Sequence, residues 1–466
     1  MATTTVSIGS NQSISTVTLD SCSSGGMFGG PWDVTFTSTP SSNVAIGDIY
    51  VIFDENYYST WTFLVTAISG STYTLKYLTD DGALGDMTPC DMVNESYEQA
   101  SGTFKRAFST ITLFEAMVDD ASPTYWGSTD DVVGECHADS PFTDSRVYFS
   151  NKQSLASVKL TVNSDDRHDG TADSGVVIRP TAGAGHNNGI IDVNIDNFIM
   201  EWIEIDLDSL DAQNTNKAVA LGGTNDDNII RNNIIHDKGG NPGGSGPTMI
   251  HMPTNALAVT ADNLYIFNNL IYNVVETGGD HATAININRW AGSVYLYNNT
   301  IWNITSNDSG SSKYAYGIIF GYVASSASYL KNNIVSLLTN GPRAYYKVNA
   351  ARTSVTANNL SDDTTSATYD AEDMGQALND SSALIGKTLA QIDFVSTVAG
   401  SEDLHLDTDS VCREAGVDLG TTNGVNIDID GFDRDAGGVV WDIGADQTAN
   451  EESSTGNPAF LLFLDI

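Results

Sequence analysis

Within residues 217–360 the dipeptide Asn-Asn begins at 232, 268, 298, 332 and 358, in steps of 36, 30, 34 and 26 residues. Each copy sits in the same short phrase. These read Ile229-Ile-Arg-Asn-Asn-Ile-Ile235, Ile266-Phe-Asn-Asn-Leu-Ile271, Leu296-Tyr-Asn-Asn-Thr-Ile301 and Leu330-Lys-Asn-Asn-Ile-Val335, with a weaker copy at Thr356–Leu360. A self-similar period of roughly 20–50 residues is the mark of a solenoid, in which each copy is one turn of a coil. Few other sequence features restrict a fold so strongly.

The residues around the pairs specify the kind of coil. Apolar residues alternate on either side, as at Leu264, Ile266 and Leu270, over runs too short for a helix. Asn is the non-glycine residue that best tolerates left-handed backbone, so Asn-Asn marks a sharp bend between two strands. A third strand lies upstream in each copy, at Ala218–Leu221, Thr248–His251, Thr283–Asn286 and Gly317–Phe320. Strand, turn, strand, Asn bend, strand and loop make one rung. The chain is therefore expected to be all-β, a right-handed parallel β-helix, with Asn side chains bonded from rung to rung as a ladder.

The rest of the chain reads as additions to that coil. Residues 1–95 are short strands with polar turns, including a hairpin about Ser69-Gly70-Ser71, and form an N-terminal β module suited to anchoring. Residues 96–145 are a junction. In it Thr112 and Glu115 have capping-box spacing and open a helix, Leu113–Val118, that plugs the end of the coil. The β-helix is expected over 146–447, with Glu201-Trp202 standing where Asn pairs stand later and some nine or ten rungs making a rod of roughly 45 Å. An acidic linker and the apolar stretch Pro458–Ile466 close the chain, as a cap on the last rung or an arm to a neighbouring subunit.

Lys and Arg total 20 against 59 Asp and Glu, a formal net charge of −39. So acidic a surface repels nucleic acid, anionic membranes and polyuronates. The N-terminus has neither the basic start nor the apolar run of a secretory signal, and no stretch has the length of a membrane span. Cys22, Cys90, Cys136 and Cys412 show no metal-ligand spacing and read as small buried residues.

Two segments near the end carry a resemblance. Leu404-His-Leu406 with Ser410 and Ala415-Gly416 precedes Asp428-Ile-Asp-Gly431, Arg434 and Asp442-Ile-Gly-Ala445. Together they resemble the closing signature of right-handed β-helix repeat proteins of the pectate-lyase-like superfamily, with Val411 where that family usually has Pro. The resemblance covers 150–446 and implies fold rather than activity, because such proteins include lyases, hydrolases, adhesins and phage proteins. Gly47–Val51, Thr103–Thr110 and Val133–Cys136 are similar to leading segments of β-helix proteins encoded by phages and found in environmental sequence. That similarity implies a virion surface protein made in a host cytoplasm, an exterior fold that needs no export signal; an extracellular protein is the alternative.

Two functional readings follow. One is a non-enzymatic virion decoration, fibre or spike. Its partners would be other virion proteins, met through the N-terminal module and the C-terminal tail, and a surface glycan, and it would assemble as a homo-oligomer such as a trimer. The other is a carbohydrate-active lyase or depolymerase, which needs clustered carboxylates, or a base beside calcium-binding acids. Candidate residues for it are Glu201, Glu204, Asp206, Asp226, Asp227, His236, Asp237, His251, Asp280, His281 and Arg289. Of these, Arg289, His251 and Asp280 could converge. No catalytic set and no cofactor is assigned. Asp428 and Asp430 match early positions of a calcium loop whose twelfth residue is Gly437 rather than Glu, and alternation of Ile427 and Ile429 with the acids favours a plain strand with a solvated acidic edge. Tyr265, Tyr295, Tyr297 and Trp302 are candidates for a glycan-binding aromatic row.

Overall fold

The computed structural model describes residues 3–448 except 24–30, 55–58, 81–100, 121–125, 127–128, 153, 185–187, 211–216, 223–226, 240–245, 253–262, 278–279, 288–291, 307–313, 321–326, 349–352 and 364–380. Asp226, Arg289, the acidic linker from 449 onward and Pro458–Ile466 lie outside the described residues.

Three parallel sheets of nine, eight and seven strands form the walls of a parallel β-helix. One full rung runs from Thr248–His251 in the third sheet to Asn263–Phe267 in the first and Leu270–Glu276 in the second. Strands pair only with their counterparts one rung away, for instance Tyr265 with Ile229 and Tyr295. The nine strands of the first sheet, Thr3–Ile8 to Thr353–Ala357, give a wall roughly 40 Å long at the usual strand spacing. Inward side chains such as Leu264, Ile266, Ile271 and Ile285 fill the bore and are fully buried.

The Asn pairs divide two tasks between them. The first Asn of each pair takes the left-handed bend, with φ of 53, 54, 51, 55 and 52° at Asn232, Asn268, Asn298, Asn332 and Asn358. The second points inward and builds the ladder: Asn233 Nδ2 donates to Asn269 Oδ1, and the same bond links 269 to 299 and 299 to 333, each at 3.0 Å. A last link joins Asn333 to Asn359 at 2.9 Å. Trp202 holds the same left-handed bend at φ 65°, and Ile203 N donates to Asn233 Oδ1. The early rung therefore aligns Trp202-Ile203, not Glu201-Trp202, with the later pairs.

The N-terminal end departs from expectation in two ways. Thr3–Ile8 is not part of the small module; it is the first strand of the solenoid, in register with Asp131–Cys136. The strands from Ser15–Ser23 to Ser101–Lys105 close a six-stranded barrel, so the barrel runs past residue 95 and is inserted within the first turn. A helix spans Ile111–Val118, and its N-cap is Thr110, whose side chain accepts from Leu113 N. Thr112 instead gives both its N–H and its hydroxyl to Asp144, so the Thr112–Glu115 capping box does not form. Phe114 on this helix packs against Phe108, Trp126 and Phe149 at the mouth of the bore. Gly134 makes room for it, since a Cβ there would come within 2.7 Å of the Phe114 ring.

The C-terminal end departs further. Residues 401–447 add no rungs. After the four-residue helix Leu389–Ile392 and the hairpin Phe394–Val398/Ser401–Leu406, the chain turns back and runs along the outside of the coil over the Asn bends. Asn358 Nδ2 donates to Ala415 O, Asn332 to Val417 O, Asn298 to Val425 O and Asn232 to Ile427 O. As residue number rises from 415 to 427, the rung touched moves back toward the N-terminus. This strap buries a second core against the outer face of the second sheet, made of Ile234, Leu270, Trp302 and Ile334 with Leu404, Ile429 and Ile443.

Cys22 is disulfide-bonded, against expectation, while Cys136 and Cys412 are free and buried. The remaining cysteine, Cys90, lies outside the described residues. Among the described residues no helix is long and apolar enough to cross a membrane.

Candidate functional site

The strap's hairpin and the second sheet enclose an acidic cleft of about 390 Å³. Register places Asp206, His236, Tyr272 and Trp302 in one row on the outer face of neighbouring strands. Asp173, Glu402 and Asp403 complete the acidic lining.

Nearly every polar group in the cleft is spoken for. His236 Nε2 meets Glu204 Oε1 at 3.0 Å, its Nδ1 meets Asp237 Oδ2 at 2.9 Å, and its ring stacks on Tyr272 at 5.0 Å. Burial alone would lower the His236 pKa, but the hydrogen bonds to Asp237 and Glu204 override it and push it up to about 10. The imidazolium is thus the resident cation of the cleft. Asp237 is only half-buried; partial burial pushes its carboxyl up, yet its bonds to His236 hold it below the usual range. Asp206 is paired with Arg179 at 2.6 Å, and Glu204 Oε2 accepts from Asp173 N at 2.7 Å. Asn273 donates to both Asp237 and Glu402.

Hydrolysis of a glycosidic bond needs a carboxylic acid that keeps its proton near neutral pH beside a second, ionised carboxylate. Asp237 is pushed the wrong way for that role, and His236 at about 10 is too weak an acid and has no free lone pair to serve as a base. A ligand atom each from Asp206, His236 and Asp237 lies within 4.8 Å of the others, but both ring nitrogens of His236 are already engaged by Glu204 and Asp237, so a metal there would have to displace one of those contacts.

The other sequence candidates are dispersed. Glu201 and Glu204 lie in different sheets on either side of the Trp202 bend rather than in one strand. Glu201 is fully buried, bonded to Thr161, Lys159 and Arg231; burial pushes its pKa up, and the two cations bring it net below the usual range. His251 closes a strand of the third sheet, where burial and then Lys217 lower its pKa to about 3. Asp280 accepts from Gly246 N and His281 N, so it braces two loops. Asp227 is exposed and accepts from Asn263. No contact between His251 and Asp280 is found among the described residues.

Asp428 and Asp430 do not fit a calcium loop, nor a strand. Asp428 is fully buried and accepts from three backbone amides, Asp430 N, Phe432 N and Gln447 N. Burial pushes its pKa up to about 7. Asp430 instead meets His405 Nε2 at 2.8 Å, beside Asp446. Burial pulls His405 down, but Asp430 outweighs it and raises the value to about 10. The signature residues of this segment are structural. Fully buried Arg434 donates to Gly444 O and Ala445 O, and Asp442 accepts from Glu414 N and Thr448, which ties the strap to itself.

Sequence reasoning missed the cleft because half of it comes from the strap. One signal was present: the doublets Ile234-Ile235, Leu270-Ile271 and Ile334-Val335 put apolar residues on both faces of the second sheet, which requires a cover outside. Of the expected aromatic row, Trp302 lies buried in the second sheet, while Tyr265 and Tyr295 stack in the first with Tyr329. Comparison with protein-family models, curated proteins and solved structures finds no match to this chain.

Proposed function

We propose that the chain is a non-enzymatic surface protein of a phage particle, attached at its barrel end with the β-helix projecting. The observation that carries this reading is the way the barrel joins the rod. It leaves the first rung after Ile8 and returns at Phe108, which bridges back to Ile8, so two chain crossings join the bodies. Fully buried Asp48 of the barrel side and Asp139 of the rod both bind the Arg106 guanidinium, at 3.0 and 3.1 Å. Such a joint transmits orientation from an attached head to a rigid rod, as a decoration or spike requires. The disulfide at Cys22 suits an oxidising exterior. The net charge of −39 favours solubility over binding to nucleic acid.

The enzyme reading would require proton transfer in the acidic cleft. Purified protein incubated with neutral and acidic polysaccharides, with and without calcium, is expected to release neither reducing ends nor unsaturated products. Activity that disappears on Asp206→Asn or Asp237→Asn would overturn the proposal.

A further inference from the structure

Along the outer face of the first sheet, register sets Ile199, Ile229, Tyr265, Tyr295, Tyr329 and Val355 in one row. The three tyrosines stack face to face, with centroids 4.7 and 4.8 Å apart and planes tilted by 10 and 4°. Inside such a ladder each ring face is covered by the next ring, and only edges meet solvent. The row therefore offers no aromatic platform along its length.

Its N-terminal end is different. The row steps down there from Tyr to Ile, and a phenol ring standing on the sheet is longer than the sec-butyl group beside it. Tyr265 is half-buried there and has no ring beside it on the Ile229 side. At this step lies a groove of about 390 Å³ lined by Tyr265, Ile199, Ile229, Asn197, Asp227 and Asn423, within the range of roughly 300–1,000 Å³ typical of small-ligand clefts. Asn423 of the strap lines the same groove as the Tyr265 ring. Asp227 uses Oδ1 to accept from Asn263, and its second oxygen has no hydrogen bond among the described residues.

We infer that this groove is a saccharide site, in which the C–H face of a neutral or N-acetylated pyranose lies on Tyr265 as the next member of the ladder. Its hydroxyls would donate to Asp227 and exchange hydrogen bonds with the amides of Asn197 and Asn423. Ile199 and Ile229 form an apolar floor that asks for no polar partner. Asp227 and the overall charge repel uronates and other acidic sugars. The site lies on a different sheet from the acidic cleft and does not depend on the particle assignment.

Saturation-transfer NMR and calorimetry with cellotetraose, chitotetraose and tetragalacturonate test the inference. One of the first two is expected to bind, with transfer concentrated on ring C–H protons, and tetragalacturonate is not. Tyr265→Ile, which continues the Ile row without an aromatic face, is expected to weaken binding by about tenfold or more. Asp227→Asn should weaken it as well, while Tyr329→Ile at the far end of the ladder should leave it unchanged. Melting temperatures near that of the parent would show that both tyrosine variants fold. Absence of binding by either neutral tetrasaccharide up to about 10 mM, or equal affinity in Tyr265→Ile, overturns the assignment.

Discussion

The side chain of Asn332 grips the backbone of Val417 at both ends, accepting its N–H at 2.9 Å through Oδ1 and donating to its carbonyl at 2.8 Å through Nδ2. One residue thus makes the tight bend of a rung and pairs, as a strand would, with chain 85 positions away. Asn332→Gly keeps the left-handed backbone accessible but removes the amide. A loss of about 1–3 kcal/mol is expected from the two orphaned backbone groups, with faster hydrogen exchange over 410–430 and little change in the barrel. Unaltered exchange in that segment would mean the strap does not depend on the bend residues.

The ladder residues should behave differently from their neighbours. Asn269→Leu buries an apolar side chain where Asn233 and Asn299 each lose a partner, and should lower global stability by several kcal/mol in denaturant unfolding. Asn268→Gly removes only a strap contact and should cost less. Equal losses in the two variants would contradict the division of labour within the pair.

Leu337 occupies the left-handed region at φ 55°, a conformation that costs a bulky residue about 1–2 kcal/mol. It stands in the row of Asp237, Asn273 and Asn303, all left-handed, with Asn303 donating to Asn273 at 2.7 Å. Leu337→Asn is expected to raise stability by about 1 kcal/mol by relieving the backbone and extending this second ladder. A lower melting temperature would show that the side-chain packing of Leu337 outweighs the strain.

Arg434 is fully buried among the carbonyls of Gly444 and Ala445 and the carboxylates of Asp428, Asp442 and Asp446. Arg434→Met leaves that negative charge uncompensated, and a loss of about 3–5 kcal/mol is expected, with proteolysis appearing first in 399–447. Retention of parental stability and protease resistance would remove Arg434 from the account.

His236 fixes a pH dependence. Its folded pKa of about 10 exceeds the unfolded value of about 6.5, so its contribution is complete below about pH 6.5 and is lost as pH rises through about 10. His405 acts in the same direction over the same window. Melting temperature should therefore fall between about pH 7 and 10, and His236→Gln should show a shallower fall that converges with the parent near pH 10.5. Parallel curves would mean that the imidazole titrates with an ordinary pKa.

The coil was legible in the sequence because every rung repeats one local rule, an Asn that can take positive φ between two short strands. That rule is local chemistry, and it carried the three strands per rung and the ladder. What was illegible is long-range. Nothing near Val417 or Ile427 says that they lie against Asn332 and Asn232 rather than in a further rung, because their carbonyls bond equally well to any donor. The same holds for Thr3–Ile8, whose partner strand begins at Asp131. The candidate acids failed as a guide for a related reason. Side chains such as Glu201 and Asp428 are consumed by partners on other rungs or turns, which sequence spacing does not reveal.

The most direct test of the proposed role is cryo-electron microscopy of purified particles that carry this protein. Density for the barrel at the particle surface, with a rod of roughly 40 Å pointing outward, is the expected result. A rod attached by its far end, or particles that lack the protein altogether, would contradict it.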